Sequence, residues 1–118
     1  MENQKITKAK AKQVFNENQV ALLSSRFEIL DLETLNNKIE TADERLDETN
    51  ESYVDKFWFG WKKAIKITDT YVKFDNDSRV ELENNNEYYL FNGNYGIDYL
   101  VILNHNQDNT IIYGIDKE

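Results

Sequence analysis

The chain has 118 residues, 22 acidic against 14 basic side chains, a formal charge of -8, and neither cysteine nor proline. That length lets one core bury about two-thirds of the unfolded surface, so a single domain over residues 1–118 is expected, needing no disulfide or metal for stability. The missing cysteines exclude thiol nucleophiles, thiolate metal sites and disulfides. No run approaches the ~18 apolar residues of a membrane span, and residues 1–15 lack an apolar signal core, so a cytoplasmic location is expected. Asparagine, lysine, isoleucine and tyrosine, all encoded by AT-rich codons, are common and fit a low-GC bacterium or its phage as the source.

The charge is unevenly placed. Residues 1–27 balance at +3, from Lys5, Lys8, Lys10, Lys12 and Arg26 against Glu2 and Glu17. Residues 28–55 set ten acids against Lys38 and Arg45, a balance of -8, and residues 56–118 balance at -3. Such asymmetry speaks to partners rather than to fold.

Residues 5–23 begin as a helix candidate, with Ile6, Ala9, Val14 and Phe15 apolar between solvated lysines and Asn16 to Asn18 as a break. Val20 to Leu23 reads as a further helical turn or a packing segment. Phe27 to Leu30 reads as a brief strand or a lead-in to the next helix. From Asp31, a suitable N-cap, Leu32, Leu35, Ile39, Ala42 and Leu46 recur at alternating spacings of three and four, which predicts a helix with a two-heptad apolar seam.

A third helix is predicted over Tyr53–Ile65, where Val54, Phe57, Trp58, Trp61 and Ile65 share one stripe and Lys62, Lys63 and Lys66 favour the negative end of the dipole. Beyond it the apolar period changes to two. Tyr71–Phe74, Arg79–Glu83, Glu87–Phe91, Ile97–Leu103 and Thr110–Ile115 read as five strands, separated by short turns rich in Asn, Asp and Gly that favour antiparallel neighbours. Ile97–Leu103 is apolar nearly throughout, as a central strand would be. The expected architecture is α+β: N-terminal helices over residues 1–66 packed on one face of a C-terminal antiparallel meander over residues 67–118.

Little in the sequence suggests catalysis. The single histidine, His105, sits in a polar loop, and the serines offer no partner set for a triad, so no enzymatic activity is expected. Asp75 and Asp77 open like a calcium loop, but Val80 and Asn86 stand where that loop needs glycine and glutamate. Gly93 and Gly96 do not lead a strand into a helix and form no phosphate cradle. No metal or cofactor is expected. The tyrosines lie in a segment of net negative charge, which disfavours direct nucleic-acid binding and favours core packing for most of them.

The acids of the middle segment resist a purely structural explanation. Glu40, Glu44, Asp47, Glu51 and Asp55 recur at spacings of four, three, four and four, with Asp43 and Glu48 flanking them. On a continuous helix this row is about 22 Å long, one charge every ~5 Å, comparable to the phosphate spacing of one DNA strand. Like charges four residues apart destabilise a helix by a few tenths of a kcal/mol each, a cost that a merely soluble face would reduce with interspersed lysines. The expectation is a small acidic inhibitor that docks this row on a basic, nucleic-acid-binding surface of a protein partner, as phage anti-restriction or anti-CRISPR proteins do. An immunity protein or antitoxin facing a basic toxin fits the same pattern, and a small ligand-binding domain or enzyme with a helix-sheet pocket is the third reading.

Overall fold

The computed structural model describes residues 1–47 and 60–117. The chain runs β1 (Asn3–Ile6), α1 (Lys8–Glu17), β2 (Val20–Arg26), α2 (Leu32–Asp47), β3 (Ala64–Ile67), β4 (Tyr71–Phe74), β5 (Arg79–Glu81), β6 (Asn86–Phe91), β7 (Ile97–Asn104) and β8 (Asn109–Asp116). All pairings are antiparallel, so the α+β class holds.

The arrangement departs from one meander carrying N-terminal helices. The strands form two sheets, β1-β6-β7-β8-β2 and β3-β4-β5. Residues 1–66 contribute β1, β2 and most of β3, and both edges of the larger sheet come from the N-terminal part of the chain. The helices also lie on opposite faces of the larger sheet. Leu100 and Ile102 of β7 pack with Ala11, Val14 and Phe15 of α1 and with Val72, Phe74 and Val80 of the small sheet. Tyr99, Val101 and Leu103, pointing the other way by strand alternation, pack with Leu35 and Ile39 of α2. A strand covered on both sides must be apolar at every position, which is why the sequence of β7 shows no alternation.

Local chemistry explains the element ends. Thr7 caps α1, its hydroxyl accepting from the Lys10 amide at 3.1 Å, and Asn18 closes it, its side-chain amide donating to the Val14 carbonyl at 3.0 Å. Asp77 (φ 67°) turns β4 into β5, and Asp108 (φ 48°) turns β7 into β8; Asn and Asp are the non-glycine residues that best tolerate this region.

The predicted helix over Tyr53–Ile65 falls largely outside the described residues; of its described part Gly60 is helical, whereas the chain from Lys62 onward is extended. Lys62 exchanges backbone hydrogen bonds with Val20 at 2.8 and 2.9 Å, and the Lys63 carbonyl accepts from the Asp75 amide at 2.9 Å. Residues 62–63 therefore clamp the β2 edge of the large sheet to the β4–β5 hairpin. Ala64–Ile67 then continues as an edge strand. Its Ile65 is 62% exposed, not part of a buried aromatic stripe.

Candidate partner-binding face

α2 is fixed at its start. The Asp31 carboxylate accepts from the Thr34 amide at 2.7 Å, a bond that also lowers the Asp31 pKa. Just upstream, the Leu30 amide donates to the Thr110 hydroxyl at 3.1 Å, and that hydroxyl donates to the Glu28 carbonyl at 2.6 Å. The entry loop is thereby tied to the first residues of β8.

Along the helix the buried stripe is Leu35, Ile39 and Asp43, spaced by four, with Ala42 and Leu46 half-buried and Leu32 exposed. Asp43 thus occupies a core-facing position. It is 1% exposed, and its carboxylate accepts from the Tyr99 hydroxyl at 2.9 Å, the Asn94 amide at 3.1 Å and the Asn94 side chain at 3.2 Å. These bonds satisfy a group whose burial would otherwise cost several kcal/mol. They also tie α2 to the β6–β7 loop, where Gly93 is required. A Cβ there would stand 1.8 Å from the Ile97 carbonyl oxygen and 2.8 Å from Asp43 Oδ1. The Asp98 carboxylate accepts from the Gly93 amide at 3.0 Å and from Lys117 Nζ at 3.1 Å, which completes the anchor.

The other acids of the row divide. Glu40 and Glu44 are exposed on one flank of α2, with Glu33 one turn-pair earlier on the same side and Asp47 at the last helical residue. Glu48, Glu51 and Asp55 lie outside the described residues. Asp43 is turned inward and is not available to a partner on that flank. The opposite flank carries Thr34, Lys38, Thr41 and Arg45 and borders an open groove of about 530 Å³, floored by Leu23, Ile39, Ala42 and Ile112. Charge is thus sorted around one helix: acids on one side of the buried stripe, bases on the other.

Two further clusters were not legible in the sequence. On the edge pair β1–β6, Glu87 accepts from Lys5 Nζ at 3.0 Å and from the Tyr89 hydroxyl at 3.2 Å, and contacts His105 Nε2 at 2.5 Å. The His105 contact, then the Lys5 bond, hold the Glu87 pKa down at about 2. Register brings the cluster together, since Lys5 pairs with Tyr89, and His105 begins the turn that returns β7 to β8. Near the clamp, Lys62 is buried with Nζ 4.5 Å from the centre of the Phe74 ring and 5.4 Å from that of Tyr113, and donates to the Ser78 hydroxyl at 3.2 Å. Burial pushes the pKa of its ammonium down, with Asp75 acting weakly against it.

Among the described residues no group of acids and histidine could hold a metal ion, and no helix is long and apolar enough to cross a membrane. Comparison with protein-family models, curated proteins and solved structures returns no match.

Proposed function

We propose that the protein is an acidic inhibitor that docks the Glu40–Glu44–Asp47 flank of α2 on a basic, nucleic-acid-binding surface of a protein partner, in the manner of anti-restriction or anti-CRISPR proteins of phage. The observation that supports this reading is the sorting of charge around α2. Exposed Glu40 and Glu44 stand on a flank from which Lys38 and Arg45 are segregated, on a helix whose buried side is held by Leu35, Ile39 and the Asp43 hydrogen bonds. A carboxylate row on a preformed helix presents charge without a backbone ordering cost on binding, which suits a groove built for phosphates. Glu48, Glu51 and Asp55 would extend the same interface.

The test is affinity capture from lysate of a low-GC bacterium at low salt, followed by identification of the partner and displacement by double-stranded DNA. The proposal requires a partner with a basic surface, displaced by DNA and lost when Glu40, Glu44, Asp47 and Glu51 are neutralised together. Capture that survives neutralisation, or that DNA does not displace, contradicts it.

A further inference from the structure

The basic flank of α2 and the outer edge of β2 border the same groove, and nothing in the acidic-row reading uses either. β2 is the last strand of the large sheet. Among the described residues its outer edge is paired only at Val20, with Lys62, so that residues 22–26, paired with β8 on the inner side, meet no described strand on the outer one. Such an edge is a template for an added strand. Leu23 and Ser24 of this strand and Thr34, Lys38, Thr41 and Arg45 of α2 line the groove above it. Among the described residues, neither Lys38 nor Arg45 has a carboxylate within ion-pair distance, although the chain carries 22 acids.

We propose that this groove binds an extended acidic peptide segment of a partner protein, which adds a strand to the open edge of β2 and places alternate carboxylates against Lys38 and Arg45. The dimensions fit. Lys38 and Arg45 are two turns apart, about 10.5 Å along the axis. Same-face side chains of an extended strand recur every ~7 Å, so acids two or four residues apart bracket that span within the reach of the two long basic side chains. Where the acids stand four residues apart, the residue midway between them shares their face and rests on the apolar floor of Leu23, Ile39, Ala42 and Ile112, and backbone hydrogen bonds to residues 22–26 supply affinity that does not depend on sequence. An all-polar polyanion would use the bases and leave that floor empty.

The experiment titrates the full chain with a fluorescent peptide of about ten residues in which glutamates stand four residues apart, valine lies midway between them and threonine fills the other positions, and follows amide hydrogen exchange of residues 22–26 in the complex. Saturable binding with slowed exchange at residues 22–26 is expected. Affinity should fall roughly tenfold or more when the peptide glutamates become glutamine, and again in Lys38→Glu/Arg45→Glu, at one half-buried and one exposed position, with thermal melting matching the parent as the check that the fold is intact. Four results overturn the proposal: no saturable binding, as when the chain itself fills the groove; equal binding by the charge-reversed variant; protection elsewhere in the chain; or equal binding by a single-stranded DNA oligonucleotide of matched charge.

Discussion

The two faces of the large sheet are closed by different chemistry. On one, α1 and the small sheet seal an apolar layer in which Phe15 meets Phe74 and Tyr113 edge to face and those two rings are tilted against each other, with ring centroids 5.5 to 6.0 Å apart. On the other, among the described residues, α2 is held by two fully buried apolar side chains, Leu35 and Ile39, and by a buried carboxylate. The first face shows where stability is concentrated. The second shows how a helix can be fixed in place with few apolar contacts, so that Glu40, Glu44 and Arg45 on its flanks stay exposed.

The sharpest way to break the comparison is at the aromatic face. Phe15→Ala removes two aromatic contacts and a fully buried ring, and should cost about 4 kcal/mol in chemical denaturation. On the α2 face, Asp43→Ala should cost about 3 kcal/mol, because it leaves the buried Tyr99 hydroxyl without this acceptor and frees the β6–β7 loop. Tyr99→Phe, which removes one donor only, should cost about 1 kcal/mol, and a double-mutant cycle with Asp43→Ala should show the pair to be strongly non-additive.

A smaller effect lies at the sheet edge. Glu87 is held at about 2, below the usual value of 4.5, so its contribution is present above about pH 4.5 and is lost as pH falls through the native value. Solvent screens the cluster, which limits the contribution to about 1 kcal/mol. Glu87→Gln should therefore flatten the stability profile between pH 5 and 2, and melts across that range would read it. The smallest expected change is Glu40→Gln/Glu44→Gln, within about 0.5 kcal/mol of the parent, since both side chains are exposed and their mutual repulsion is relieved.

The sequence was most informative where one period and one turn type agreed. β4 to β6 follow from alternation and β7 from its nearly unbroken apolar run, all set off by Asn- and Asp-rich links, and the start of α2 follows from Asp31. β1 is too short, at four residues, to show a period. β2 opens as an unbroken apolar run, which periodicity alone does not separate from a helical turn. Ile65 and Ile67 alternate as strand residues, yet they stand after Trp61 among Lys62, Lys63 and Lys66, a pattern that reads as the end of a helix. The division into two sheets leaves no local mark, because the link from β5 to β6 resembles any hairpin connection. It depends on the apolar faces of Val72, Phe74, Val80 and Leu82 packing onto α1 and the large sheet.

At the candidate site, the acidic flank was legible and the inward turn of Asp43 was not. The seam Leu32–Leu35–Ile39–Ala42–Leu46 makes Asp43 a flanking residue. The spacing Leu35–Ile39–Asp43 also makes it core-facing, and only the partners Tyr99 and Asn94, far away in sequence, decide between them. The basic flank escaped notice because Lys38 and Arg45 are few among ten acids, and their position over β2 is a tertiary fact.

The most direct test of this account compares two variants of the same helix in paired assays, thermal melting and partner capture: Glu40→Gln/Glu44→Gln/Asp47→Asn and Asp43→Asn. The account predicts that the triple variant melts like the parent but no longer captures the partner, whereas Asp43→Asn melts earlier and, below its transition, still captures it. A triple variant that retains capture, or an Asp43→Asn protein that is fully stable but cannot bind, would contradict the division of α2 into an anchoring side and a recognition side.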